Sequence, residues 1–254
     1  MKVTDIKPSP ALREFVHAYK LIESDAIINN QLLPDIYVAL AFRLQGDVRH
    51  RESSRLSSLP ECTISGLRST MREIQYDAGA RTLVIQFTAI GASYLLREPL
   101  HLFYNQTIAF GDIDHSGVEI LHEQLLSERT LARQIDSLEV YLLNRFAGNP
   151  GDPIIRESIK RITQSRGLLR MKTLSNDLCL SQDAFEKRFR KAVGATPKQY
   201  ANIVRMRSVV QSPPSELAQI IHDFDFYDPA HFSKSFKQFT GKTPSEFFKA
   251  PSFW

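Results

Sequence analysis

Two short basic runs in the last third of the chain carry the side chains best suited to touch a polyanion. Lys187, Arg190 and Lys191 form one, and Lys234, Lys237 and Lys242 the other. Ammonium and guanidinium groups bind phosphate oxygens, while polar and small side chains placed beside them read the edges of bases. Such neighbours are present: Asp183 and Glu186 in the first run, and Pro229, Ala230, His231 and Ser233 in the second. Covalent chemistry has no comparable support. Cys62 and Cys179 are the two cysteines, outside any CxxC or Cys/His cluster, so neither a disulfide framework nor a zinc site is indicated, and both thiols are expected to be buried. Glu61 precedes Cys62, whereas a nucleophilic thiolate needs a cationic or His neighbour, and Cys179 is expected in a packed turn. His17, His50, His101, His115 and His122 show no metal-ligand spacing. No catalytic residue, metal or cofactor is expected.

The net charge of +4 becomes informative when the chain is divided at the breaker cluster Gly148-Asn149-Pro150-Gly151-Asp152-Pro153. Residues 1–153 hold 15 Lys and Arg against 19 Asp and Glu, and residues 154–254 hold 17 against 9. The basic half is the one expected to meet phosphate. No stretch approaches the roughly 18 unbroken apolar residues of a membrane span, and the start, MKVTDIKPSP, lacks a signal-peptide core. A cytoplasmic protein without membrane contact is expected.

The elements that position the basic runs recur. A shift of 47 residues aligns Phe185 with Phe232, Lys187 with Lys234, Phe189 with Phe236, Gly194 with Gly241, Thr196-Pro197 with Thr243-Pro244, and Tyr200 with Phe247. Each copy reads as a short apolar helix (Leu174 and Leu178; Leu217, Ile220, Ile221 and Phe224), a tight turn, and a second helix. Ser181 or Asp228 caps that second helix, with Pro229 at the first helical position of the later copy. Phe185, Phe189 and Ala192 form one inward stripe, and Phe232, Phe236 and Phe239 the other. Glycine ends each helix, and Thr196/Gln199 and Thr243/Glu246 form capping boxes for the next. These are two helix-turn-helix units, at about 172–193 and 215–240. Pro197 to about Val210 reads as a strut of about 21 Å, ended by Ser212-Pro213-Pro214-Ser215. It would place twin helices near successive major-groove faces about 34 Å apart.

On these residues the chain resembles the tandem DNA-binding domain of the AraC/XylS family of bacterial transcription regulators. Ser181, Phe185, Phe189, Gly194, Pro197, Tyr200 and Arg205 carry the likeness in the first unit and linker. Phe226, Asp228, His231, Phe232, Phe236, Gly241 and Pro244 carry it in the second. The resemblance implies base-reading positions at Gln182, Asp183, Glu186 and Lys187, and at Pro229, Ala230, His231, Ser233 and Lys234. Arg190, Lys191, Lys237 and Lys242 would clamp phosphates. It also implies double-stranded DNA and RNA polymerase as partners. Ser175 and Ile221 replace a small Ala of the family pattern, and Cys179 and Asp225 replace a turn glycine. Asp accepts a left-handed turn better than Cys, so the first turn is expected to depart from the second.

The amino-terminal half more distantly resembles the corresponding domain of one AraC-like subgroup, through Pro10 to Val16, Leu33-Pro34-Asp35 and Gly66. Read directly, Leu12, Phe15, Val16 and Tyr19 have helical spacing, while Ile36–Leu44 and Thr82–Phe87 read as strands. The fold class expected is α+β: a β-rich domain over 1–150 for effector binding or oligomerisation, then an all-α DNA-binding domain over 154–254. Tyr37, Arg43, Arg68, Gln86 and His101 either orient a small-molecule effector or satisfy strand ends. From Gly117 to Phe146 the pattern is helical. Leu131, Ile135, Leu138 and Leu142 make a stripe that serves either a homodimer or packing beneath the sheet. Two other functions remain open at this stage, a protein-interaction module derived from the same fold and a DNA-repair protein that takes an alkyl group onto Cys62.

Overall fold

Alternation along β-branched and aromatic runs gives the first half its strands. The computed structural model describes residues 1–52, 55–96, 98–114, 117–146, 151–212 and 217–249. His115, Gly148 to Pro150 and Pro213 to Ser215 therefore lie outside the described residues, and so does the Leu217 side chain. The strands are β1 (Lys2–Ile6), β2 (Val16–Ser24), β3 (Ile28–Leu32), β4 (Val38–Gln45), β5 (Val48–Glu52), β6 (Arg55–Ser58), β7 (Cys62–Ser65), β8 (Arg72–Tyr76), β9 (Ala80–Phe87) and β10 (Thr107–Ala109). They form two antiparallel sheets, ordered β1-β2-β9-β4-β7-β10 and β3-β8-β5-β6.

The six-stranded sheet has two different faces. Leu40 and Phe42 of β4 stand opposite Ile85 and Leu83 of β9, and all four are fully buried on the face that meets the helices. The alternate residues Ala39, Ala41, Val84 and Gln86 face the second sheet across a cavity. Beneath the first face lie α1 (Ala89–Leu95), α2 (Gly117–Ser127) and α3 (Leu131–Phe146). Leu138 and Leu142 are fully buried there, with Leu131 and Ile135 partly so. The α3 stripe thus packs within the chain.

Leu12 to Tyr19 is not a helix. Pro10–Leu12 is a single 3-10 turn, and β2 begins at Val16. A bulge between Val16 and Ala18 places Val16 and Tyr19, three residues apart, on the same face of the sheet, and this imitates a helical period.

The second half is helical: α4 (Pro153–Gln164), α5 (Met171–Asp177), α6 (Gln182–Val193), α7 (Pro197–Gln211), α8 (Leu217–Asp223), α9 (Pro229–Thr240) and α10 (Pro244–Lys249). The linker helix α7 is more than a strut, since Tyr200, Ile203, Val204, Met206 and Val209 are all buried. It ends at Gln211, where Ser212 turns to extended backbone. One continuous apolar cluster joins α4 to α10 with α1 to α3 and the six-stranded sheet.

Close approach is built into that cluster. A methyl carbon added at Gly91 in α1 would lie 1.9 Å from the Phe15 carbonyl oxygen. Gly91→Ala should cost about 1–3 kcal/mol through forced displacement, seen as a lower urea midpoint with an unchanged slope.

Candidate nucleic-acid interface

Capping fixes where the two decisive helices begin. Ser181 Oγ accepts from the Ala184 amide at 3.2 Å, and Asp228 Oδ1 accepts from the His231 amide at 2.7 Å. Helical geometry then turns Phe185, Phe189, Phe232 and Phe236 inward, none more than 1% exposed. Phe239 completes the stripe in α9. In α6 the third inward residue is Val193, and Ala192 is only partly buried. Phe189 meets Tyr200 of α7 edge to face at 5.7 Å, and Phe236 meets Phe247 of α10 at 5.2 Å. Gly194 (φ 92°) and Gly241 (φ 77°) end the two helices in the left-handed region. Both capping boxes form, Thr196 with Gln199 and Thr243 with Glu246.

The opposite faces are open to solvent. Gln182, Asp183, Glu186, Lys187, Arg190 and Lys191 are exposed on α6, as are Pro229, Ala230, His231, Lys234 and Lys237 on α9. Ser233 and Lys242 are half-buried. Lys187 Nζ lies 2.9 Å from Asp183 Oδ2, both well exposed. Such a pair contributes little stability, but it places a cation beside the acid on this face.

The two turns are alike in backbone, contrary to expectation. Cys179 (φ 56°) and Asp225 (φ 51°) are both left-handed. Matching bonds close them, Leu180 N–H to the Ser175 carbonyl at 2.9 Å and Phe226 N–H to the Ile221 carbonyl at 3.0 Å. These pairs are offset by 46 residues, whereas Ser181 and Asp228 are offset by 47. The second turn is therefore one residue longer. That extra residue is Tyr227, which is 93% exposed between buried Phe226 and the cap of α9.

Close contacts tie this region to the amino-terminal half. Arg207 Nη1 of α7 lies 2.8 Å from Asp35 Oδ1. A methyl added at Gly194 would meet the Leu100 carbonyl at 3.0 Å, and one added at Gly241 would meet Met71 Cε at 2.8 Å. The carboxy-terminal ends of α6 and α9 thus rest on the amino-terminal half, while their amino-terminal ends stay clear. Arg205 of α7 also stacks on the Phe226 ring at 4.5 Å, fixing the second turn to the linker helix.

Three of the five expected ligand residues, Tyr37, Arg68 and Gln86, line the cavity between the sheets, whose volume is about 200 Å³. The other two lie elsewhere. Arg43 is held in an ion-pair group with Asp47 at 2.5 Å and Glu61 at 3.5 Å, and His101 sits in the 3-10 turn Leu100–Phe103. Arg72, which the sequence reading missed, does line the cavity. Neither thiol is fully buried: Cys62 is intermediate and Cys179 exposed, because its turn projects its side chain outward. Burial, with Glu61 beside it, pushes the Cys62 thiol up to about 12, which keeps it protonated and a poor nucleophile. Among the described residues no cluster of three His, Cys, Asp or Glu could hold a metal, and no helix is long and apolar enough to cross a membrane.

Known proteins bear on the same region. The family description "Helix-turn-helix domain" matches residues 174–250, which contain both capped helices and both turns. Over this region the chain is similar to transcription regulators of the AraC type. A second description, a domain of unknown function, matches residues 4–109. The chain is 34% identical over 96 residues to the Msm operon regulatory protein of Streptococcus mutans, covering 36% of this chain and 34% of that protein. It is 35% identical over 85 residues to the HTH-type transcriptional regulator YisR of Bacillus subtilis, covering 32% and 30%. The chain thus spans about a third of the length of these curated relatives. ToxT from Vibrio cholerae is a solved neighbour at 14% identity and a TM-score of 0.47, over 91% of this chain and 97% of that one.

Glycine tolerates the left-handed turn that Cys179 adopts at a steric cost, and the exposed thiol has little packing to lose. Cys179→Gly should therefore raise stability by about 1 kcal/mol, measured by equilibrium urea unfolding.

Proposed function

We propose that the protein is a sequence-specific transcription regulator of double-stranded DNA, with α6 and α9 as its two recognition helices. One observation carries the reading: two capped helices, each held from behind by a phenylalanine pair, turn a polar and basic face outward from a half with 17 cations against 9 acids. Gln182, Asp183, Glu186 and Lys187 on α6, and Pro229, Ala230, His231, Ser233 and Lys234 on α9, take the base-reading roles. Tyr227 joins the second group. Arg190, Lys191, Lys237 and Lys242 clamp phosphates. RNA polymerase is the partner through which such a protein acts on transcription.

In this proposal residues 1–150 form an effector-binding domain and residues 154–254 the DNA-binding domain. The cavity-lining segment that includes Asp35 also reaches Arg207 on α7, and Met71 at the start of β8 abuts the end of α9. A ligand that shifts either contact would change how the two helices are presented. The α3 stripe offers no support for a homodimer, since its leucines are used internally. The acids Asp183 and Glu186 favour a second reading, a protein-binding module, because carboxylates are unfavourable beside phosphates.

Salt dependence separates the two. Four phosphate clamps predict a slope of log affinity against log salt of about −4 on duplex DNA, and a slope near zero would favour the protein-binding module. Lys234→Ala should cost about 1–3 kcal/mol on the preferred site and less on random duplex, read by fluorescence anisotropy. Tyr227→Ala should weaken the same site without moving the unfolding midpoint. Unchanged binding by Lys234→Ala would show that α9 does not dock as described.

A further inference from the structure

The cavity between the sheets holds a cation without an anion. Arg72 Nη1 donates to the hydroxyls of Thr107 at 2.5 Å and Ser65 at 3.2 Å. Its other guanidinium nitrogens have no hydrogen-bond partner, and it has no carboxylate partner, among the described residues. The residue keeps some accessible surface because it lines the cavity, yet protein surrounds it closely. Burial first, and the neighbouring Arg68 second, lower its pKa to about 10. Arg68 donates to the same Thr107 hydroxyl at 3.3 Å. Two guanidinium groups therefore converge on one hydroxyl pair, Ser65 and Thr107, themselves 2.9 Å apart. The one acid in the cavity lining, Asp35, is paired with Arg207.

The rest of the lining is of the opposite kind. Ile22, Ala39, Ala41, Val48 and Val84 supply apolar wall, with the buried Thr82 hydroxyl, which has no partner among the described residues, between them. A buried guanidinium group such as that of Arg72 is costly unless paired, and its planar fork matches a carboxylate. A volume of about 200 Å³ has room for a small organic molecule.

From this geometry we infer that the cavity is a binding site for a small organic acid, its carboxylate seated on Arg72 and its apolar body lying along the alanine and valine wall. The inference deepens the effector reading and rests on it only for the consequence of binding. Arg72 opens β8, directly after Met71, which touches the end of α9. A ligand drawn to Arg72 therefore sits one residue from the second recognition helix's support.

Titration calorimetry on the full chain tests it, with benzoate and hexanoate against the neutral isosteres benzamide and hexanamide. The acids should bind at least tenfold more tightly than the amides. Arg72→Met should abolish that preference and Arg72→Lys retain part of it. Acids and amides binding alike, neither binding at millimolar concentration, or an Arg72→Met protein that folds and keeps the preference would each overturn the anion site. The wild-type comparison decides the matter even if Arg72→Met does not fold. DNA affinity measured with the acid bound is a separate readout. No change there would overturn effector control while leaving the anion site standing.

Discussion

Each of the helices α6 and α9 is held by what lies behind it. Phe185 and Phe189 in one copy, and Phe232 and Phe236 in the other, are removed from water almost completely. A buried phenylalanine is worth several kcal/mol, far more than any surface charge pair contributes. The aromatic pair therefore sets the rotation of the helix about its axis, and the polar face follows from the 100° step between residues. The caps at Ser181 and Asp228 and the glycines at 194 and 241 then fix where each helix starts and stops.

The same economy governs the sheet. Because one face of β4 and β9 carries Leu40, Phe42, Leu83 and Ile85, helices must cover it, while the alternate positions, mostly small, cannot fill the space to the second sheet. A cavity results, and its wall is continuous with the segment that holds Arg207. The apolar cluster also runs from sheet to linker helix without interruption. A change of packing in one half is thus felt mechanically in the other.

The repeat, its caps and its inward rings were legible because each depends on residues close in sequence with strong local preferences. What failed depended on distant pairing. Val16 and Tyr19 look helical until the bulge opposite β9 is known, and nothing local announces that bulge. Polar groups near apolar runs include Tyr37, Arg68 and Gln86, which the fold brings to one cavity, as well as Arg43, which pairs with Asp47, and His101, which lies in a 3-10 turn. The place of Arg72 in the cavity depends on the pairing of β7 with β10, which brings Ser65 beside Thr107, and nothing local announces that pairing. The Cys179 turn was misjudged for a different reason: helix closure by two backbone bonds outweighs the side chain's preference.

Chemical footprinting on a selected DNA site tests the central claim most directly. The account predicts two protected major-groove patches on one face of the duplex, about 10 base pairs apart, with a substitution at Lys187 erasing one and a substitution at Lys234 erasing the other. A single patch, or two that fade together whichever lysine is changed, would contradict it.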